Sequence, residues 1–227
     1  MNIFFSKIIN LFFPIQCLGC GKSGFFLCSK CLDSIPLNQH YFCPICHRPG
    51  NSWRLCSQCH QNRSLDGVII ASDYKYRLLQ KIIHCYKYQY VKSLSKALSQ
   101  ILINYLEDNQ VFSDFIITSL PLHLKRQKLR CFNQAEEVAN YIADTFWLSF
   151  DPDLLKRLKN TKPQARLNKE QRAKNIRNAF RLQRGCYGRR VLIIDDVFTT
   201  GSTLNECARV LKEAGAREVW GLVIAKG

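Results

Sequence analysis

A chain of 227 residues with 47% hydrophobic content can bury a core of ordinary size with a small appendage, which excludes a disordered chain. No run approaches the ~18 consecutive apolar residues of a membrane span, so a soluble, cytoplasmic protein is expected. The formal net charge of +16 predicts attraction to polyanions (nucleic acid, nucleotide phosphates, anionic lipid surfaces) without choosing among them.

The opening MNIFFSKIINLFFP sets Ile3, Phe4, Ile8, Leu11 and Phe12 near helical spacing, which predicts a short amphipathic helix packed on the body. One lysine and no proper cleavage site argue against a secretory signal. Eight of the twelve cysteines follow between residues 17 and 59 as four Cys-x-x-Cys pairs: Cys17/Cys20, Cys28/Cys31, Cys43/Cys46 and Cys56/Cys59. Each such turn brings two thiolates to one side, and two turns complete a tetrahedral Zn²⁺ site. CLGCGKSGFFLCSKC and CPICHRPGNSWRLCSQC align as an internal repeat, so one Zn²⁺ per half, two in all, is expected from pairing in sequence order, with interleaved pairing as the alternative. So short a stretch draws its folding energy from metal. His47 and His60 are expected to be neighbours rather than ligands. Lys22, Lys30, Arg48 and Arg54, with Trp53 and Phe25, suit a solvated face, a protein partner or nucleic acid.

Beyond Cys59 the pattern changes, dividing the chain into residues 1–62, the helix and double zinc ribbon, and residues 63–227. Asp66 to Tyr76 reads as a strand, and Arg77 to Tyr105 as helix broken around Tyr86 to Tyr90, a break that contains Lys87. Tyr86, Tyr88 and Tyr90 suit either core packing or stacking on bases. The single cysteines Cys85, Cys131, Cys186 and Cys207 read as small apolar residues. Phe115 to Leu120 is a buried strand, and the loop after it offers Lys125, Arg126, Lys128 and Arg130 to an anion such as diphosphate before a helix starts near Asn133. Between Lys156 and Arg190 stand thirteen Lys or Arg against one acidic residue, Glu170. This block is expected to be mobile or folded onto something anionic, a loop with Pro163 leading into a basic helix that closes over the crevice.

The most informative passage is VLIIDDVFTTGSTL, Val191 to Leu204. Its apolar run predicts a strand buried on both faces, with Asp195 and Asp196 at its carboxyl end. Thr199, Thr200, Gly201, Ser202 and Thr203 then open a helix near Leu204 whose N-terminus favours an anion. Carboxylates for ribose hydroxyls beside a loop for phosphate describe a sugar phosphate site. The passage resembles the phosphoribosyl diphosphate motif of type I phosphoribosyltransferases, and the fold it implies is α/β, a parallel sheet flanked by helices beside a small double zinc ribbon.

Together with LHLKRQKLRCFNQA and TKPQARLNKEQRAKNIRNAF, and with four Cys-x-x-Cys pairs ahead of them, the chain is similar over essentially its whole length to the ComF family of late competence proteins. The matching residues include Arg130, Phe132 to Gln134, Gln164, Leu167, Arg172, Asn175, Phe180 and Asp195 to Thr203; Cys131 stands where the family usually has glycine. The resemblance implies a role in natural transformation, the handling of incoming single-stranded DNA, and a helicase-like partner. It also implies that Asp195 and Asp196 hold ribose hydroxyls, Thr199 to Thr203 the 5′-phosphate, and Arg126 and Arg130 the diphosphate of phosphoribosyl diphosphate bound with Mg²⁺. Arg172, Lys174 and Arg177 are the expected DNA contacts. No acceptor-specific stretch is legible, so an active phosphoribosyltransferase in nucleotide salvage stays as the alternative.

Overall fold

The computed structural model of the chain describes residues 14–107, 114–130, 132–161 and 168–227. The expected amino-terminal helix, Cys131, Pro163, Gln164 and Leu167 lie outside the described residues.

The ribbon carries two short helices, α1 (Ser29–Asp33) and α2 (Ser57–His60), one after each half's second knuckle begins. The repeat is visible in the backbone. Gly21 donates to the Cys17 carbonyl and His47 to that of Cys43, both at 2.9 Å, and both residues adopt positive φ, 76° and 61°.

The body is a parallel sheet in the order β1–β7–β6–β2–β3, with β1 Gly67–Asp73, β2 Phe115–Ser119, β3 Ser149–Phe150, β6 Arg190–Phe198 and β7 Glu218–Lys226. A separate antiparallel pair joins β4 (Leu155–Arg157) to β5 (Phe180–Leu182). β1, β2 and most of β6 and β7 are buried, as near-continuous apolar strands covered on both faces must be. The helices are α3 (Arg77–Tyr88), α4 (Leu94–Glu107), α5 (Leu124–Arg130), α6 (Gln134–Phe146), α7 (Lys169–Ile176) and α8 (Ser202–Glu213).

Local chemistry explains the boundaries. The side chain of Asn133 accepts from the Ala135 amide and caps α6, whose first turn carries Glu136 and Glu137 as the helix dipole favours. Asn168 and Gln171 form a reciprocal capping box on α7. The expected break between the two helices falls between Tyr88 and Leu94. Tyr86 lies inside it only on paper: it is fully buried, donates its hydroxyl to the Gln134 carbonyl at 2.9 Å, and is core rather than a stacking platform. Tyr88 and Tyr90 are exposed.

Two expectations need correction. The strand carrying the aspartates does not stop before them; β6 runs to Phe198 because β7 continues to pair with it as far as Lys226. Lys125, Arg126, Lys128 and Arg130 stand on α5 and not on a loop. In the described part of Lys156 to Arg190 the basic helix expected after Pro163 is α7, between β4 and β5, and the block is folded onto carboxylates where Arg184 pairs with Asp151 and Asp153, both at 3.1 Å.

The ribbon docks on the outer edge of β1. Val68 donates to the Trp53 carbonyl at 3.0 Å, Leu55 donates to that of Asp66 at 2.9 Å, and Asn38 reaches the Ala71 carbonyl with its amide and that of Ile70 with its side chain. Trp53 is buried and donates its indole N–H to Tyr105 of α4 at 2.6 Å, which ties the ribbon to the main core. Gly67 is obligatory here, since a Cβ would lie 2.5 Å from the Trp220 ring and 2.6 Å from the Trp53 carbonyl oxygen.

Candidate metal centres and ligand crevice

The Sγ atoms of Cys17, Cys20, Cys28 and Cys31 lie within 4.8 Å of one another, and so do those of Cys43, Cys46, Cys56 and Cys59. Pairing is therefore in sequence order, and neither His47 nor His60 joins a group; His60 instead meets Asp66 at 3.3 Å. The backbone amide of Cys28 donates to the Cys17 sulfur, and that of Cys56 to the Cys43 sulfur. Although burial opposes the charge on Cys17 and Cys43, such donors bring both down to about 6. Cys31 is pushed up to about 12, first by its hydrogen bond with Cys28, and Cys59 to about 12, first by burial. Four thiolates repel one another, so a divalent cation is what allows all four to ionise, and the Cys₄ sets fit Zn²⁺.

The crevice forms where the sheet changes direction. From β2 the chain proceeds outward to β3, and from β6 it proceeds the opposite way to β7, so the loops after β2 and β6 diverge and leave a cleft at their carboxyl ends. Pairing of β2 with β6 ends at Ser119 and Ile194, which makes Asp195 the first residue of β6 without a neighbour on that side. Its Oδ1 accepts from the Asp196 amide at 2.8 Å, and Oδ1 of Asp196 accepts from the Val197 amide at 2.6 Å.

Lys87, at the end of α3, pairs with Asp196 at 2.8 Å. Sequence reasoning noted this lysine only as part of a helix break. The missed signal is positional: Leu79, Ile83 and Lys87 follow one another at four-residue spacing, so a lysine holds a place in the buried stripe. Burial works against its charge, but Asp196 and then Asp195 outweigh that and hold it above the ordinary value. The two carboxylates are thereby made unequal. Burial, then repulsion by Asp196, pushes Asp195 up to about 8, and Lys87 only partly offsets this.

A stability consequence follows. Folded Asp195 keeps its proton to about pH 8 while the unfolded chain releases it near pH 4, so stability falls as pH rises through that window. Asp195→Asn removes the ionisation. Its melting temperature should exceed that of the wild type by a gap that widens from pH 5 to pH 8 and is flat above, reaching at least about 2–4 °C for each kcal/mol relieved. A gap independent of pH in thermal denaturation would remove the assignment.

The Thr199–Thr203 loop turns sharply after β6. Gly201 has φ 73°, and a Cβ there would lie 2.6 Å from the Phe198 ring, with Ile45 of the Cys43/Cys46 turn next at 3.6 Å. Thr200 and Ser202 share a hydroxyl hydrogen bond of 2.9 Å, and α8 starts at Ser202, two residues earlier than expected. Gly201, the N-cap of α8, offers no side-chain cap, and the Thr200 hydroxyl accepts from the Ser202 amide at 3.4 Å. A cavity of about 550 Å³ adjoins the loop, walled by Asn62 at the end of the ribbon and Arg63 just after it, Arg177 and Asn178 after α7, and Asn205 of α8. Asn205 also fastens the ribbon exit, accepting from the Ser64 and Leu65 amides.

The predicted cations are distributed unevenly. Arg172 donates to the Thr199 hydroxyl at 3.0 Å, so it belongs to the Thr199–Thr203 loop as well as to α7. Arg130 is held by Gln134 at 2.9 Å, and Arg126 by the Thr161 carbonyl at 2.6 Å. Lys174 and Arg177 are exposed.

A parallel sheet with its cleft at this switch point, two carboxylates and a Thr-Thr-Gly-Ser-Thr loop define a type I phosphoribosyltransferase fold joined to a double zinc ribbon. The phosphoribosyl transferase domain model matches residues 133–226, and the double zinc ribbon model residues 8–60. Competence protein F of Haemophilus influenzae is 31% identical over 94% of this chain and 99% of its own. The DNA utilization protein YhgH of Escherichia coli K12 is 30% identical over 86% and 89%, and competence protein ComFC of Bacillus subtilis 26% identical over 83% and 79%. The chain belongs to the ComF family of competence proteins.

Proposed function

We propose that this protein serves natural transformation in the cytoplasm by handling incoming single-stranded DNA, and that its crevice binds phosphoribosyl diphosphate with Mg²⁺. The observation that carries the DNA reading is a surface. Lys156 on β4, Lys174 on α7, Arg177 just after α7 and Arg181 on β5 are exposed, and none has a carboxylate partner among the described residues. Free cations grouped beside a cleft neutralise phosphates. The competence and DNA utilization names of the relatives support the same reading.

In the crevice, Asp195 and Asp196 bind ribose hydroxyls, Thr199, Thr200, Gly201, Ser202 and Thr203 take the 5′-phosphate, and Arg126 and Arg130 face the diphosphate. Mg²⁺ would neutralise charge on the diphosphate. Turnover as a phosphoribosyltransferase is the second reading, supported by the carboxylates at the cleft; catalysis would then be electrostatic, through positioning and charge neutralisation. Residues 1–62 act as the zinc module and 63–227 as the ligand module, and a helicase-like competence protein is the partner to seek by pull-down.

The DNA test is a salt titration of fluorescent oligonucleotide binding. Each contact to a single strand adds about 0.7 to the slope of log affinity against log salt, so neutralising Arg172, Lys174 and Arg177 should flatten it by up to about two units, with little dependence on sequence. Because Arg172 also touches Thr199, a Lys174/Arg177 pair isolates the DNA effect and should remove about 1.4 units. An unchanged slope, with collapse on neutralising Lys22, Lys30, Arg48 and Arg54 instead, would move the DNA site to the ribbon.

A further inference from the structure

The two halves of the ribbon share a hydrogen-bonding pattern and differ in what they present. Gln16 bridges to Ser23 in the first as Phe42 does to Pro49 in the second. The Cys17 amide donates to the Lys22 carbonyl at 2.9 Å, and the Cys43 amide to that of Arg48 at 2.8 Å. The knuckle itself therefore does not dictate the side chains at these places. Where the first half has Gln16 and Gly21, the second has Phe42 and His47, whose rings lie parallel to within 2° with their centres 5.8 Å apart. His47 holds φ 61°, a left-handed conformation that favours glycine, and glycine is what the first half keeps there.

The aromatic pair borders a cavity of about 550 Å³, whose lining includes Gln39, Tyr41, Phe42, His47 and Pro49. Its floor is fixed to the body, because Tyr41 and Phe42 meet the buried Trp53 edge to face at ring-centre distances of 5.7 and 4.8 Å. Flat rings with a side-chain amide at the rim suit a planar ligand that has apolar faces and a polar edge. We propose that this pocket takes a nucleobase of single-stranded DNA, stacked against Phe42 and His47, an assignment that rests on the DNA reading given above. The surrounding charge favours a nucleic acid over an apolar peptide. Arg48, beside His47, is exposed and donates to the neutral Gln58 rather than to a carboxylate, and Lys226 meets the His47 ring. The pocket and the cations of α7 also flank one loop. Ile45 of the Cys43/Cys46 turn lies 3.6 Å from where a Cβ on Gly201 would stand, and Arg172 of α7 reaches Thr199. One strand crossing residues 199–203 would set its phosphates along α7 and a base in the ribbon.

The experiment measures binding of a fluorescent single-stranded oligonucleotide, and of an abasic strand of equal length, by wild type, His47→Gly and Phe42→Leu across a salt series. His47→Gly installs the residue this backbone favours, and Phe42→Leu keeps an apolar side chain against Trp53, so zinc content and melting temperature should stay those of the wild type. Each should weaken oligonucleotide binding about fivefold or more, the effect of one lost base–aromatic stack. The slope of log affinity against log salt should not change, because stacking releases no counterion. Neither variant should alter affinity for the abasic strand. If one variant does not fold, the other carries the test. Unchanged oligonucleotide affinity in a folded variant overturns the pocket, and a protein lost from the pull-down in its place would assign the face to a protein partner. An equal loss on the abasic strand, or a flattened slope, also overturns it and makes this a phosphate contact. Both results leave standing the α7 reading, which the slope of the Lys174/Arg177 variant decides. A wild type that binds neither strand overturns both.

Discussion

Asp195→Ala combined with Asp196→Ala should abolish calorimetrically detectable binding of phosphoribosyl diphosphate, the ligand proposed for the crevice, while the zinc content and circular dichroism should stay those of the wild type. A hydrogen bond to a charged acceptor, as at Asp196 beside Lys87, contributes about 1.5–3 kcal/mol and one to a protonated carboxyl, as at Asp195 below about pH 8, about 0.5–1.5 kcal/mol, so losing both lowers affinity by roughly one to three orders of magnitude. The fold tolerates the change because the two substitutions act in opposite directions. Removing Asp195 relieves a carboxylate whose ionisation is opposed by burial and by its neighbour, whereas removing Asp196 leaves Lys87 without its 2.8 Å partner. Asp195→Asn alone keeps the shape and removes the ionisation that sets in above about pH 8. An affinity unchanged in the double variant would take the sugar site away from the end of β6.

The second large effect is metal loss. Freshly reduced protein should contain two Zn²⁺ per chain by elemental analysis, and Cys43→Ser with Cys46→Ser should contain one. Structural zinc contributes about 10–16 kcal/mol in isolated finger peptides, and the described ribbon has few buried apolar residues to replace it. The effect should extend beyond the ribbon. Ile45 sits between Cys43 and Cys46 and beside Gly201, and Arg63, whose Nη1 donates to the Cys59 carbonyl, walls the cavity beside the Thr199–Thr203 loop. The variant should therefore bind ribose 5-phosphate more weakly than the corresponding Cys17→Ser, Cys20→Ser protein. Equal loss in the two, or one zinc or none in the wild type, would overturn this.

Much of the architecture was legible in the sequence because its signals are local. The Cys-x-x-Cys repeat dictated the grouping of thiols, and VLII could hardly be anything but a strand covered on both faces. Asn133 announced its helix through the chemistry of its own side chain. The errors share a different cause. The extent of β6 past the aspartates depends on how far β7 runs beside it, which no property of Asp195 or Val197 reports. Likewise the seven residues of α5 read as a charged loop because none is buried, so no apolar stripe marks the helix. Lys87 was missed as a site residue for the converse reason. Its importance comes from a partner 109 residues away, Asp196, brought beside it only by the tertiary structure.

The ribbon's seat on β1 has a consequence for how the protein would fail. β1 is an edge strand reading GVIIASD, rich in β-branched residues and without a charge before its last position. Such an edge is a template for pairing with another chain, and proteins normally blunt it with charge, proline or a covering element. Here the cover is the segment from Asn38 to Leu55, itself dependent on metal for its shape. Zinc starvation or thiol oxidation would therefore uncover an adhesive strand, and the cell would register the lesion as insoluble protein and proteolysis before it registered weakened ligand binding.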